Sequence, residues 1–357
     1  MKYALVGCGR VSPNHIKAAK KNGFQILAVC DIDFSHIDDM FSRAEITDND
    51  GIRRYTDYRE MYDKEKPGLV SIALPSGLHA DAAIEAIKRG INVIIEKPMA
   101  MSLEDADEII RLSRENNVKV AACHQNRFNI AVQEMRSALE KGRFGRLSNA
   151  AVTIRWKRGK DYYDQADWRG KYESDGGTLM NQCIHGIDLL RWMCGDKLKR
   201  VYGITKNQFH PYIEAEDVGT AVFEFENGVI ATVEGTVNVP GSNMEEHLTV
   251  IGEKGAVKLG GTSANTIDIW QFEDSPDEDK DGFHEKTLNV YGNGHASLFE
   301  DMALAIKEDR APYVDADAGK RALEAVLAIY KSAYEGVPVE LPLDNCAGID
   351  FEDMFKR

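Results

Sequence analysis

The apolar and polar positions follow two different patterns along the chain, and the pattern changes near residue 145. In the first part, apolar runs of strand length alternate with amphipathic stretches of helix length, an order that is typical of parallel β-α-β units. The predicted strands cover residues 3–6, 25–30, 69–74, 91–96 and 118–123. The predicted helices include residues 79–88 and 103–115, the latter with Ser102 as its N-cap. This part predicts an α/β Rossmann domain with a doubly wound parallel sheet.

The second part alternates apolar and polar residues over longer stretches, as half-buried strands do. These strands are predicted at residues 147–156, 218–226, 229–237, 246–251 and 256–259. Asn227-Gly228 predicts a tight hairpin between two of them. Helices are predicted at residues 179–193, 296–307 and 316–334, and the acid-rich residues 273–285 predict a solvated loop. We therefore expect an α+β domain with a large, open-faced, mainly antiparallel sheet, and domain limits of 1–123 and 124–357.

Composition narrows the classes of partner. The 357 residues include 44 basic and 58 acidic side chains, so the formal net charge is −14. A surface this acidic repels nucleic acid. The start of the chain has no signal-peptide pattern, and no apolar run approaches the length of a membrane span. We expect a cytoplasmic protein without a nucleic-acid or membrane partner.

The cysteines give no sign of a disulfide framework or a metal site. The six cysteines are scattered and form no C-x-x-C pair, so we expect reduced, buried thiols. Cys183, His185 and Asp188 are metal-capable side chains that lie close together in sequence, but they lack the spacing of zinc ligands. The sequence predicts no bound metal.

A glycine motif follows the first predicted strand. Residues 7–12 read Gly-Cys-Gly-Arg-Val-Ser and precede a helix, which is the context of a dinucleotide-binding turn. Gly7, Gly9, Arg10 and Val11 are therefore candidate cofactor contacts. Asp31 ends the second strand, 24 residues after Gly7, where a carboxylate can bind the adenosine ribose hydroxyls and repel a 2′-phosphate. This favours NAD over NADP; the alternative is that Asp31 merely caps the next helix.

The candidate chemistry depends on a lysine and a histidine. Lys97 stands in Glu96-Lys97-Pro98 at the carboxyl end of a parallel strand, where such folds bind ligands. Desolvation there would lower the pKa of the lysine, and Glu96 could orient it. Asn181 and His185 lie on one face of a predicted helix, and a histidine there could accept a hydroxyl proton. The alternatives are an exposed strand-end lysine and a structural histidine.

These motifs resemble the glucose–fructose oxidoreductase/inositol dehydrogenase (Gfo/Idh/MocA) family over essentially the whole chain. The resemblance implies a Rossmann domain that binds NAD, a second domain that binds substrate and mediates oligomerisation, and proton chemistry by Lys97 and His185. Many family members have an aspartate where this chain has Asn181. We expect further cofactor contacts at Ser76, His79, Glu96, Trp168 and Arg169, besides Lys97 itself.

Residues 124–129, 162–170, 180–188 and 291–295 are similar to one subgroup, the UDP-N-acetylglucosaminuronate 3-dehydrogenases of lipopolysaccharide and O-antigen biosynthesis. A basic segment, residues 155–171, supports an anionic nucleotide-sugar substrate, because arginine binds diphosphate and carboxylate groups well. It could instead be a solvated loop or a contact with an acidic neighbouring subunit. The candidate substrate ligands are Arg127, Arg155, Lys157, Tyr163, Asn181 and His185.

The sequence thus predicts an NAD-dependent dehydrogenase that oxidises the sugar 3-hydroxyl of UDP-N-acetyl-2-amino-2-deoxyglucuronate to the 3-keto sugar. Asn181 would hydrogen-bond the reacting hydroxyl. One alternative is a catabolic dehydrogenase of a free polyol such as inositol, and another is a non-catalytic NAD-binding regulatory protein. Because the long strands present a broad face, we also expect a homodimer or homotetramer.

Overall fold

A computed structural model describes residues 1–47, 51–275, 280–287 and 292–356. The chain forms two compact units. The first contains Met1–His124 and His295–Lys320, and the second contains Gln125–Gly294 and Arg321–Arg357. The predicted domain limit lies one residue before the first of these divisions. However, residues 295–320, which the sequence analysis assigned to the second domain, lie in the first unit.

The first unit begins with alternating strands and helices. In chain order these are β1 (Lys2–Val6), α1 (Ser12–Lys21), β2 (Gln25–Cys30), α2 (Phe34–Arg43), β3 (Arg53–Tyr55), α3 (Tyr58–Glu65), β4 (Leu69–Ile72), α4 (His79–Ile87), β5 (Asn92–Ile95), α5 (Leu103–Glu115) and β6 (Val120–Ala122). The strands pair in parallel in the order β3-β2-β1-β4-β5-β6. The strand order reverses between β1 and β4, where doubly wound sheets bind ligands. The predicted Rossmann fold is confirmed.

The remaining elements follow residue 124. They are α6 (Ile130–Glu140), β7 (Leu147–Arg155), α7 (Lys160–Tyr163), α8 (Thr178–Asn181), α9 (Ile184–Cys194), β8 (Leu198–Lys206), β9 (Val218–Phe225), β10 (Ile230–Thr236), β11 (Glu245–Gly252), β12 (Gly255–Gly260), β13 (Thr266–Phe272), β14 (Phe283–His284), α10 (His295–Glu308), α11 (Ala316–Glu335) and β15 (Val339–Glu340). Within the described part of the chain, short 3-10 turns lie at Ser76–Leu78, Gln125–Phe128 and Gly348–Phe351.

The second unit contains the predicted open sheet. Within the described residues its strand order is β14-β13-β12-β11-β7-β10-β9-β8-β15, and every pair except β7 with β10 is antiparallel. The hairpin at Asn227-Gly228 is present, and Gly228 has the positive φ of +85° that such turns require. β14 lies in the later part of the predicted loop at 273–285, whose residues 276–279 are outside the described residues.

Helix α9 packs on one face of this sheet. A Cβ atom on Gly186 would come within 2.9 Å of the side chains of Val152 and Ile154 on β7, so only glycine allows this close packing. Because strand side chains alternate between faces, Arg155 points to the face opposite α9. That opposite face carries several exposed apolar side chains, among them Tyr202, Ile204, Val222 and Ile230.

One predicted helix is divided, and another belongs to the first unit. The predicted helix 179–193 is interrupted between Asn181 and Ile184, because the N–H of Cys183 donates to Thr178 O (2.9 Å), five residues back. Helix α10 packs on α1, where the rings of His15 and Phe299 meet edge to face with centroids 5.6 Å apart. No helix in the described part of the chain is both long and apolar enough to cross a membrane.

Candidate active site

The glycine motif forms a tight turn between β1 and α1. Gly7 has φ +88°, and a Cβ atom there would lie 2.4 Å from Ala73 O, so no other residue fits. Gly9 faces open space, so a ligand can approach its backbone. Ser12 Oγ donates to Gly9 O (2.6 Å) and closes the turn where many such motifs have a third glycine. Val11 is the N-cap of α1, whose N-terminal amides suit a pyrophosphate.

Two further candidate cofactor residues border this turn. Arg10 is exposed, and its carbonyl accepts a hydrogen bond from Arg43 Nη1 (3.2 Å). Asp31 Oδ2 accepts from the Cys8 N–H (2.8 Å), so the turn itself orients this carboxylate. The residue that caps helix α2 is Asp33, not Asp31. The arrangement therefore fits an adenosine ribose at Asp31 and removes the helix-capping alternative.

Ser76 and His79 lie beyond the carboxyl end of β4. Ser76 opens the 3-10 turn Ser76–Leu78 at the sheet edge that binds ligands in this fold. The buried ring of His79 lies between two carbonyl oxygens, 2.8 Å from Leu74 O and 2.7 Å from Pro98 O. Burial lowers the pKa of His79. The ring is therefore enclosed between two backbone turns, and as a neutral imidazole it donates its one N–H to one of these carbonyls. A contact between His79 and the cofactor stays a prediction.

Lys97 follows β5, as predicted, and is half-buried. The preceding Glu96 is buried, and its Oε1 lies 2.8 Å from His15 Nε2. Its Oε2 accepts from the backbone N–H of Lys97 (3.2 Å). Burial alone would raise the pKa of Glu96, but the hydrogen bond from His15 and the nearby imidazole of His295 more than offset it and hold the pKa well below its usual range. Glu96 is therefore an ionised internal group rather than an exposed cofactor contact.

Asn181 and His185 lie on the short helices α8 and α9 of the second unit. His185 is 8% exposed. Asn181 Nδ2 donates to Asp175 Oδ1, and its Oδ1 accepts from Gln182 Nε2 (2.7 Å). Asp175 is itself buried and accepts from the Gly170 N–H (2.7 Å). A buried carboxylate from the loop before α8, Asp175, thus contacts the amide that stands where the family resemblance implies an aspartate.

Arg127 has a structural role. Its guanidinium forms a bidentate pair with Asp188, with distances of 2.7 and 2.6 Å, and both side chains are almost fully buried. The same guanidinium lies 4.8 Å from the Trp192 ring centroid. A buried pair of this kind fixes the 3-10 turn Gln125–Phe128 against α9. The structure does not support Arg127 as a substrate ligand.

The basic segment is largely neutralised by acids. Arg155 binds Glu234 through two 2.7 Å hydrogen bonds and Glu245 at 2.5 Å, on the sheet face opposite α9. Lys157 Nζ lies 3.6 Å from Asp161. Strand alternation therefore turns Arg155 away from the sheet face on which α9 and His185 lie, and carboxylates already contact Arg155 and Lys157.

Tyr163 is a core residue. Its ring is buried and packs against Tyr162, His210 and Tyr212, at centroid distances of 5.2, 5.7 and 6.0 Å. Burial raises its pKa. The ring of Tyr163 is therefore part of an aromatic cluster. Among the described residues, no contact of this ring favours a role in substrate binding.

Trp168 and Arg169 lie beside the Asn181 network. The Arg169 guanidinium stacks 4.3 Å from the Tyr162 ring centroid and 4.7 Å from that of Trp168. Arg169 Nη1 donates to Tyr162 Oη (2.6 Å), and the same oxygen accepts from Gln182 Nε2 (3.0 Å). A hydrogen-bonded chain thus links Arg169 through Tyr162 and Gln182 to Asn181.

Sequence reasoning missed several residues. His15, Cys123 and His295 lie around Glu96, and Asp175 contacts Asn181. Only Asp175 had a local signal, since it precedes the glycine pair before α8. The other three come from distant parts of the chain. Tyr291, in the segment 291–295 that resembles the subgroup, lies outside the described residues.

Comparison with known proteins identifies the family. Residues 1–124 match the profile described as "Oxidoreductase family, NAD-binding Rossmann fold", and residues 132–258 match "GFO/IDH/MocA C-terminal domain". The chain is similar to the WlbA dehydrogenase from Bordetella pertussis in complex with NADH and UDP-GlcNAcA, with 34% identity, 96% of this chain and 99% of that chain covered, and a TM-score of 0.84.

A second WlbA dehydrogenase, from Chromobacterium violaceum and also in complex with NADH and UDP-GlcNAcA, is 32% identical, with 96% of both chains covered and a TM-score of 0.85. The Thermotoga maritima myo-inositol 2-dehydrogenase is 22% identical over 346 residues, which cover 96% of this chain and 98% of the relative. The chain therefore belongs to the Gfo/Idh/MocA oxidoreductase family and is an NAD-dependent dehydrogenase.

Proposed function

We propose that the protein oxidises the 3-hydroxyl of a UDP-linked N-acetylated uronic acid, UDP-N-acetyl-2-amino-2-deoxyglucuronate, to the 3-keto sugar. The product would serve the biosynthesis of a bacterial surface polysaccharide such as lipopolysaccharide. The observation that carries this proposal is a similarity over 96% of the chain to two dehydrogenases that were crystallised with NADH and UDP-GlcNAcA. At 34% and 32% identity they resemble this chain more than the 22% identical inositol dehydrogenase does.

The residues divide the chemistry between them. NAD, when bound at the glycine turn, supplies the hydride acceptor. His185 would accept the proton of the reacting hydroxyl, since an imidazole titrates near neutral pH. Lys97 would polarise the hydroxyl oxygen and relay the proton, and the two roles could be exchanged. Asn181, oriented by Asp175, would hydrogen-bond the same hydroxyl.

The charge around Arg169 supports an anionic substrate. Within the described residues, no carboxylate lies at ion-pair distance from Arg169, and its buried Nε has no hydrogen-bond partner. A half-buried cation without a counter-charge is costly, and a carboxylate or diphosphate from a ligand would satisfy it. Arg169 was expected to contact the cofactor. A pyrophosphate of the cofactor or an anionic group of the substrate would supply the missing counter-charge. Arg169 therefore replaces Arg155 as the strongest candidate for anion recognition.

A free polyol remains the second candidate, because inositol dehydrogenases are among the relatives that match most of the chain. A polyol carries no charge and would leave Arg169 without a counter-ion. A third hypothesis is a non-catalytic NAD-binding protein. The presence of both candidate proton-transfer residues, Lys97 and His185, argues against it.

The decisive experiment measures reduction of NAD+ by the purified protein with UDP-N-acetylglucosaminuronate, UDP-N-acetylglucosamine and myo-inositol in parallel. We expect turnover with the first alone, with a 3-keto product identified by mass spectrometry after borodeuteride reduction. Preferential turnover of myo-inositol would replace the proposal with the polyol reading. Reduction of NAD+ by none of the sugars, despite NAD+ binding, would favour the regulatory reading.

A further inference from the structure

A buried polar cluster surrounds the carboxylate that precedes Lys97. It consists of His15 from α1, Glu96, Cys123 after β6, and His295 at the start of α10, and all four side chains are buried. Glu96 Oε1 lies 2.8 Å from His15 Nε2 and 3.8 Å from His295 Nε2. The two imidazole rings meet edge to face, with centroids 5.5 Å apart. Three separate elements thus converge on one carboxylate group.

These four residue types can also bind zinc, and their ligand atoms lie within 4.8 Å of one another. The distances favour hydrogen bonding instead. Ligands about 2.1 Å from a tetrahedral zinc ion lie about 3.4 Å apart, because the ion sits between them. The 2.8 Å separation of His15 and Glu96 is a hydrogen-bond distance. The cluster is therefore centred on Glu96 Oε1 rather than on a vacant point between the four groups.

The other oxygen of Glu96 connects this cluster to Lys97. Glu96 Oε2 accepts from the Lys97 N–H (3.2 Å), and the carbonyl of the next residue, Pro98, lies 2.7 Å from His79 Nδ1. The backbone on both sides of Lys97 is thus fixed by buried groups. A buried carboxylate needs such donors, because an unsatisfied charge would be expelled from the interior.

We propose that His15 and His295 are positioning residues that hold the Glu96 carboxylate, and through it the backbone of Lys97, in the orientation required for catalysis. The inference rests on the proposed role of Lys97. His15 belongs to α1, the helix that starts at the glycine turn, and His295 belongs to α10, which packs on α1. The packing of these two helices therefore sets the position of the lysine. Displacing a reacting group by about 1 Å can lower a rate about 100-fold.

The first test compares substitutions of the same histidine. His15→Phe removes the donor to Glu96, and His295→Phe removes the second imidazole beside the carboxylate. His295→Gln and His15→Gln keep an N–H near the position of Nε2. We expect kcat to fall roughly 10- to 100-fold in the Phe variants, with KM for the sugar and Kd for NADH changed less than about 3-fold. The Gln variants should recover most of kcat. Tyr62→Phe, which removes a buried hydrogen bond to Ala82 O outside the cluster, should leave kcat unchanged.

A second test does not require turnover. The pH dependence of Lys97 labelling by an amine-reactive reagent is followed by peptide mass spectrometry in the unmodified protein and in Glu96→Gln, His295→Phe and Tyr62→Phe. Loss of the carboxylate charge should move the labelling midpoint of Lys97 to lower pH in Glu96→Gln. His295→Phe should also move the midpoint if the imidazole holds the carboxylate in place, and Tyr62→Phe should match the unmodified protein. If no sugar is turned over by the unmodified protein, the proposed function fails while this labelling still decides the positioning role.

Two results would overturn the inference. The first is a combination of two observations: the labelling midpoint of Lys97 is unchanged in Glu96→Gln, and the Gln variants of His15 and His295 lose as much kcat as the Phe variants. The loss of kcat would then reflect a general loss of folding. The other is stoichiometric zinc in the purified protein that disappears in Cys123→Ser but persists in Cys30→Ser, since Cys30 is a buried thiol of the same unit outside the cluster. The cluster would then be a metal site.

Discussion

The guanidinium groups of Arg155 and Arg169 have opposite surroundings. Arg155 contacts the carboxylates of Glu234 and Glu245. Arg169 stacks on Tyr162 and Trp168 and, within the part of the chain that the structure describes, has no carboxylate at ion-pair distance. An anionic ligand bound at Arg169 would supply a counter-charge there, whereas Arg155 already has two, so the two residues form a pair of test and control.

We predict that Arg169→Ala weakens the binding of UDP-N-acetylglucosaminuronate by about 1.5–3 kcal/mol, the range for a hydrogen bond to a charged group. Arg155→Ala should leave this affinity unchanged. The measurement is calorimetry at low salt with saturating NADH. If the affinity falls equally in both variants, the basic segment acts through its net charge alone. A parallel titration with NADH tests the alternative that Arg169 contacts the cofactor, in which case Arg169→Ala weakens the binding of NADH.

Lys97 is a candidate for proton transfer because it follows β5 at the ligand-binding edge of the sheet. Lys97→Ala should lower kcat by about 10²- to 10⁴-fold, the usual contribution of a positioned acid or base, whereas NADH should still bind. Fluorescence titration with NADH and steady-state kinetics measure the two effects. Lys88→Ala, an exposed lysine of the same unit, is the control. Near-normal kcat in Lys97→Ala would make this lysine structural.

Asp31 should determine the choice of cofactor. Its carboxylate is held beside the glycine turn by the Cys8 N–H, where it would repel a 2′-phosphate. We expect kcat/KM for NAD+ to exceed that for NADP+ by at least about 100-fold, and Asp31→Ser to reduce this ratio. Equal values of kcat/KM for the two cofactors in the unmodified protein would contradict the assignment.

At the scale of elements, the short helix α8 depends on a buried acid. Glu216 Oε1 accepts from the Leu179 N–H (2.8 Å) and from Tyr330 Oη (2.9 Å) at the start of this helix. Burial raises the pKa of Glu216 to about 8, and burial likewise raises the pKa of Glu246, on β11, to about 8. The folded protein therefore binds protons at these carboxyls more tightly than the unfolded chain does.

It follows that the contribution of these two carboxyls to stability should decrease as pH rises. The contribution of each carboxyl is complete below the unfolded pKa of about 4.3 and is lost as pH rises through about 8. We predict that Glu216→Gln and Glu246→Gln each reduce the dependence of unfolding free energy on pH between pH 5 and pH 9, and that the double variant reduces it most. Urea unfolding at several pH values measures this. An unchanged pH dependence in both single variants would mean that these carboxyls are ionised in the folded protein.

The elements show which features a local pattern can predict. Residues 25–30 and 103–115 coincide with β2 and α5, because a buried apolar run and a serine N-cap are local signals. The three-residue strand β3 has no buried residue and was not predicted. Helix α10 was predicted at nearly its full length but assigned to the wrong part of the molecule. Its contact with the first unit, Phe24 with Phe299, joins residues far apart in sequence.

The residues of the candidate site likewise fall into two groups, those that a local sequence pattern can locate and those that only the folded chain brings together. Gly7, Asp31 and Lys97 lie at strand ends, so strand prediction alone was sufficient to locate them. The face of Arg155 could have been predicted from the sequence, since the alternation along β7 that buries Ile154 turns its neighbour to the other face. The cluster around Glu96 could not have been predicted, because its four members come together only in the folded unit.

At the scale of the molecule, the face of the open sheet opposite α9 carries exposed apolar side chains. Ile204, Val222 and Ile230 are 53%, 49% and 56% exposed, and they lie on the neighbouring strands β8, β9 and β10. Tyr202 pairs directly with Val222. A contiguous apolar patch on a sheet favours burial against another surface, at about 25 cal/mol per Å².

We therefore predict that the protein forms a homodimer or homotetramer through this face. Val222→Lys, which places a charge at the centre of the patch, should shift the protein toward monomers in light scattering at micromolar concentration. Leu304→Lys, at an apolar position of similar exposure on α10, is the control and should leave the oligomer intact, because its side chain lies outside the sheet. If the unmodified protein has the mass of a single chain, the face is not an oligomer interface. If Val222→Lys remains fully oligomeric, the subunits associate through a different surface.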